Sequence, residues 1–114
     1  MRDLWDIQRE FNDEFFESKG GWPREEQLIP ANKDFYVHLS REAAEALNCL
    51  SFKMHRKKSG DEIERDNLLE ELVDTMKFLI GWFQINGFTY EEFEREFKRK
   101  SLIVAERFRS RVNA

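Results

Sequence analysis

Four acids are the residues best placed to do chemistry: Glu42 and Glu45 in one stretch, Glu71 and Asp74 in another. Each pair is spaced i, i+3, so both carboxylates share one face if the stretch is helical. Set Glu42 at zero on a wheel of about 100° per residue. Leu39, Ala43, Ala46, Leu50 and Met54 then fill an arc from about 40° to 120°, with Glu45 about 60° to the other side. With Glu71 at zero, Leu68, Leu72, Met76, Leu79 and Phe83 fill nearly the same arc, and Asp74 takes the place of Glu45. If the two stripes pack together, four carboxylates converge beside the core. Like charges brought that close repel and lose hydration. A hard divalent cation relieves both costs. Oxygen ligands select Mg²⁺, with Mn²⁺ as a substitute, and Mg²⁺ typically works on substrate phosphates. The pattern alone leaves a plainer alternative open, since four solvated surface acids are unremarkable in a chain that is 37% charged.

A basic counterpart accompanies the acids. Phe93, Phe97, Lys100, Val104 and Arg107 fall on one stripe, so two cations replace apolar residues in a core-like row. Lys53, Arg56 and Lys57 lie two to three turns past Glu45. With a metal, Lys53, Arg56, Lys100 and Arg107 could hold a polyphosphate. Snorkelling beside the bundle is the competing account of Lys100 and Arg107. His38 lies one turn before Glu42 on the acid face. Its type alone favours a satisfied structural histidine over a ligand. Cys49 reads as a packed thiol, and His55 carries no assignment.

These residues need helices to position them. Apolar residues recur at helical spacing over 3–18, through Leu4, Ile7, Phe11 and Phe15 with Trp5 and Phe16 beside them. Residues 19–33 read as a loop, opened by Gly20-Gly21 and with Pro30 near its end. A second helix is expected over 34–58, stopped by Ser59-Gly60 after a basic last turn. A third opens at Asp61, with Glu64 as a capping partner, and runs to Gly87. The fourth opens with the capping-box pair Thr89 and Glu92 and continues to about 108. No stretch alternates with period two for long enough to be a strand. The expectation is an all-α, four-helix bundle of antiparallel neighbours, one domain over residues 1–114.

Composition narrows the function classes. The chain has 114 residues, 40% hydrophobic, with a net charge of −4. That acidic balance argues against a nucleic-acid partner. No apolar run is long enough to span a membrane. The first residues lack the apolar segment of a secretory leader, and a single cysteine excludes an internal disulfide, so a reducing cytoplasm is the expected setting. Eleven Phe, three Trp and two Tyr are more rings than so short a chain can bury, and some are expected at a subunit interface.

The run Glu42-Ala-Ala-Glu45, then 25 residues, then Glu71-Leu-Val-Asp74 resembles the ExxE…ExxD signature of the all-α nucleoside triphosphate pyrophosphohydrolases, which include MazG-like enzymes and the dimeric dUTPases. The resemblance extends over about residues 4–108. It implies a MazG-like helical bundle assembled as a homodimer or homotetramer. It also implies Mg²⁺ ions held by Glu42, Glu45, Glu71 and Asp74, and hydrolysis of a dNTP to the monophosphate and pyrophosphate. Glu42 or Glu45 would orient the attacking water. Residues 7–14 resemble the first-helix motif of dimeric dUTPases, which assigns Gln8 and Asn12 to the nucleoside; His38 joins them as a candidate. Phe52-Lys53 resembles part of another dUTPase run, but Met54, His55 and Arg56 depart from it, and Val104 stands where the last helix would carry Asn. The base therefore stays open: dUTP first, with dGTP and dCTP as alternatives. The setting is a cytoplasm, the host's if the protein belongs to a phage. The rival from another class is a catalytically inactive helical interaction module.

Overall fold

Helices account for nearly all of the regular structure in the computed structural model, which describes residues 1–50 and 63–113. In chain order they are α1 (Arg2–Ser18), a 3₁₀ turn (Glu25–Gln27), α2 (Leu28–Asn48), α3 (Arg65–Ile85) and α4 (Tyr90–Val112). Among the described residues there is no strand, only an isolated antiparallel bridge between Leu50 and Ile63. None of their helices is long and apolar enough to cross a membrane. The expected all-α architecture is what the chain adopts.

Several boundaries differ from the sequence reading. The loop after α1 is shorter than residues 19–33, because α2 starts at Leu28 and takes Pro30 into its first turn. The first amides of a helix have no intrahelical acceptor, so a proline there forfeits nothing. At its other end α2 stops at Asn48, ten residues short of the expected limit. There the Glu64 amide donates to the Cys49 carbonyl at 2.9 Å, which turns the chain end toward α3. Met54, and the cations Lys53, Arg56 and Lys57, lie outside the described residues. The third helix begins at Arg65, with Glu64 as its N-cap rather than a partner inside it. The capping box of α4 forms as expected: Thr89 Oγ1 accepts from the Glu92 amide and Glu92 Oε1 from the Thr89 amide.

The antiparallel pair α2–α3 is the backbone of the fold, and its seam is not the one that the apolar stripes suggest. One series of buried or half-buried residues runs Phe35, His38, Glu42 and Ala46 on α2 and on to its cap Cys49, and another runs Leu68, Glu71, Thr75, Phe78, Trp82 and Ile85 on α3; Leu39 on α2, and Ile80, Gly81, Phe83 and Gln84 on α3, are covered beside them. Both series step by three and four, as two helices packed side by side require. Each is centred on its acid, Glu42 or Glu71. The expected stripes are only partly covered: Ala46 is buried and Leu39, Leu50, Leu68 and Phe83 are half-buried, while Leu72, Met76 and Leu79 are 38–52% exposed. An apolar stripe demands some cover; it does not say which surface supplies it. On α1, likewise, Leu4, Ile7, Phe11 and Phe15 stay exposed, while Trp5, Gln8 and Asn12 are buried.

Polar and aromatic clamps fix these helices. Asn32 and Asn86 pair their amides at 2.9 and 3.0 Å, and the Trp82 indole donates to Asn32 at 2.7 Å. This locks the start of α2 to the end of α3, where Gly87 takes φ 79° and lets the chain turn into α4. Trp5 joins three helices by packing against Phe83, Tyr90 and Phe93. Trp22 folds the post-α1 loop back onto α1: its indole donates to Asp13 at 3.0 Å, its ring packs on Phe16, and the Arg9 guanidinium covers it.

Candidate active site

The centring of the α2–α3 seam on acids creates the site. Glu42, Glu45 and Glu71 each place a carboxylate oxygen within 4.8 Å of the others. Glu42 and Glu71 are half-buried between the helices, and Glu45 is exposed. Glu71 bears most of the crowding. One of its oxygens, Oε2, is sealed from solvent with no hydrogen-bond donor. Burial, followed by the neighbouring Glu42 and Glu45 carboxyls, pushes the Glu71 carboxyl from its ordinary 4.5 up to about 7. A buried carboxylate oxygen that no donor among the described residues meets, beside two further carboxylates, fits a hard cation, since such oxygens are the ligand type that Mg²⁺ and Mn²⁺ prefer. Behind the cluster the Cys49 thiol is buried and donates to the Glu45 carbonyl at 3.5 Å. Burial, then the charges of Glu64, Glu71 and Glu45, raises its pKa, so it is an inert packing residue.

Asp74, the fourth acid, stands apart from this cluster. It sits one turn further along α3, exposed, on the rim of a cavity of about 550 Å³ between α1, α2 and α3. That volume suits a small-molecule ligand. Five phenylalanines form much of its wall: Phe11, Phe15, Phe16, Phe35 and Phe78. Gln8, Asn12 and His38 line it as well, so all three residues considered for the nucleoside face one space. The His38 ring stacks on Phe78 at 5.4 Å and 12°. Its Nδ1 lies 2.9 Å from Arg41 Nη2. A guanidinium can only donate, so Nδ1 accepts and the ring proton sits on Nε2. Gly81 makes the cavity floor possible: a Cβ there would lie 2.8 Å from the Phe35 ring and 3.2 Å from the Asn12 amide.

The basic residues are distributed differently from the sequence reading. Lys100 and Arg107 are exposed on α4, and Lys100 borders a separate groove with Phe93, Phe97 and Val104 rather than the cavity. Lys53 and Arg56 lie outside the described residues. The cations on the cavity rim are instead Arg41 and Lys77. Both were legible in principle, since Arg41 directly precedes Glu42 and Lys77 follows Asp74 by three. Gln84 had no signal in the sequence. It is 2% exposed near the end of α3 and anchors the amides of the cavity wall.

A cluster of three carboxylates beside an aromatic-lined cavity rimmed by Arg41 and Lys77 suits a phosphorylated aromatic ligand. A family model described as dUTPase matches residues 1–109. No curated protein and no solved structure matches the chain. The match covers nearly the whole chain, its family is all-helical like the structure, and its activity is of the kind that the site suits. The chain belongs to the all-helical dUTPase family.

Proposed function

We propose that the protein is a Mg²⁺-dependent nucleoside triphosphate pyrophosphohydrolase that converts a dNTP, dUTP before dGTP or dCTP, to the dNMP and pyrophosphate. The observation that carries this reading is the adjacency of the carboxylate cluster and the cavity. His38 and Arg41 on α2, and Asp74 on α3, belong to the cavity and lie within a turn of Glu42 and Glu71. A base in the aromatic cavity would thus direct its triphosphate toward the acids.

Glu42, Glu45 and Glu71 would hold the divalent cation, with Asp74 as the fourth ligand across the mouth. When bound, the ion polarises the phosphate and lowers the pKa of the attacking water. Exposed Glu45 is the acid best placed to take that water's proton. Attack at the α-phosphorus breaks its bond to the bridging oxygen, and pyrophosphate departs with the bonding electrons. Arg41 and Lys77 offset its charge. In this reading Lys100 and Arg107 act at most from another copy, since in their own chain they border other surfaces. A cytoplasmic homo-oligomer is part of the same proposal.

The test is turnover of a dNTP panel with Mg²⁺, scored for monophosphate and pyrophosphate. Glu45→Ala and Asp74→Ala should each lower kcat/KM at least about 10²-fold with helical CD unchanged. Failure of the folded wild-type protein to turn over any nucleotide would falsify the proposal.

A further inference from the structure

Arg41 leaves unmade an ion pair that the chain forms elsewhere. Arg2, Arg9 and Lys98 each pair with an acid four residues away on the same helix. Arg41 has the same opportunity, since Glu45 follows it by four on α2 and both residues are exposed. Among the described residues, however, Arg41 forms no ion pair. Its Nη2 instead donates to Nδ1 of His38, one turn back, at 2.9 Å. That ring is itself fixed, half-buried and stacked on Phe78 at 5.4 Å and 12°. The two partners lie in different places. Glu45 belongs to the carboxylate cluster, whereas His38, Asp74 and Lys77 line the cavity with Arg41. A guanidinium has five N–H donors and the His38 contact uses one, so the others are left for a ligand.

We propose that His38 is a positioning residue: by accepting from Arg41 it holds the guanidinium at the mouth of the cavity and away from Glu45, which leaves the cation free for a ligand's phosphate and the carboxylate free for the divalent ion. This rests on the reading of the site as a nucleotide hydrolase. The competing Arg41–Glu45 pair would be solvent-exposed and weak, so one hydrogen bond to a ring already held by Phe78 is enough to decide between the two positions. Moved onto Glu45, the guanidinium would put a positive charge where Mg²⁺ must bind. It would also withdraw from the cavity the planar donor group that grips a phosphate through two hydrogen bonds. His38 thus serves the phosphate end of the ligand, through Arg41, rather than the base.

The experiment has two readouts: the Mg²⁺ dissociation constant of the nucleotide-free protein, by calorimetry at low salt, and kcat/KM for the dNTP turned over fastest. His38→Phe keeps a ring on Phe78 and removes the acceptor. It should weaken Mg²⁺ binding about fivefold, the scale of an exposed ion pair, and lower kcat/KM about tenfold. High salt should erase much of the Mg²⁺ difference, because an exposed pair is screened. Adding Arg41→Met to His38→Phe should restore the Mg²⁺ affinity and leave kcat/KM low, since Glu45 is released but the phosphate's cation is gone. His38→Asn, whose Oδ1 takes the place of Nδ1, should recover most of both quantities. A purely structural histidine predicts that the double variant binds Mg²⁺ no better than His38→Phe. That result overturns the proposal, as does an unchanged Mg²⁺ affinity in His38→Phe or a wild-type protein that binds no Mg²⁺. Absence of turnover with every nucleotide removes the hydrolase reading alone, and the Mg²⁺ titrations then still decide whether His38 keeps Arg41 from Glu45. If His38→Phe does not fold, His38→Leu removes the same acceptor and must show the same two losses.

Discussion

Glu71 shows how one side chain ties stability to chemistry. Its carboxyl titrates at about 7 in the folded chain against an ordinary 4.5. Between those values the folded state holds more protons than the unfolded one, so stability falls as pH rises through that window. Above it the penalty is complete; below it there is none. The melting temperature of metal-free protein should therefore drop between about pH 5 and 8, and millimolar Mg²⁺ should restore it at the alkaline end. A melting curve independent of pH and Mg²⁺ would contradict the crowding seen here. Glu71→Gln separates the two roles. It should raise the melting temperature of the metal-free protein at pH 8 and abolish turnover. Gly81 makes the complementary point about space. Gly81→Ala must move the Phe35 ring, whose nearest atom would sit 2.8 Å from the new methyl. The expected outcome is a raised KM, since the cavity floor shifts while the carboxylates stay in place.

At the scale of elements, the α2–α3 hairpin carries the site because its register is pinned at both ends. The Asn32–Asn86 pair holds one end and the Cys49–Glu64 hydrogen bond the other. Slippage of one helix by a turn would separate Glu42 from Glu71. Asn86→Ala leaves the Asn32 amide short of a partner and should cost about 1–3 kcal/mol in denaturant unfolding. It should also weaken Mg²⁺ binding measured by calorimetry, because it loosens the register that gathers the ligands. The α4 cap is a control. Thr89→Ala should cost about 1 kcal/mol and leave Mg²⁺ affinity unchanged, since α4 contributes nothing to the carboxylate cluster.

At the scale of the whole molecule, the proposed homo-oligomer accounts for apolar faces that a single chain leaves exposed. Among the described residues the exposed apolar side chains are grouped: Leu4, Ile7, Phe11 and Phe15 on α1, Leu72 and Met76 on α3, Phe97, Val104 and Phe108 on α4. Exposed patches of that extent mark interaction surfaces. Light scattering at micromolar concentration should return a multiple of the chain mass. Phe97→Asp together with Val104→Asp should shift the population toward smaller species.

The amino-acid sequence by itself determined the helices, the capping of α4 and the identity of the acids, because periodicity, caps and i, i+3 spacing are local properties of a chain. It also placed Gln8, Asn12 and His38 among the candidates that share one cavity. Tertiary structure decided which face each helix turns to its neighbour. The α2–α3 seam runs through Glu42 and Glu71 rather than along the apolar stripes beside them, since a stripe is satisfied by any apolar surface, including one on another molecule. Separations of tens of residues hid the rest: the approach of Arg41 and Lys77 to one rim, the fit of Gly81 under Phe35, and the bond from Gln84 to the Trp5 carbonyl. None of these leaves a mark in spacing, because each depends on where two distant turns of helix cross.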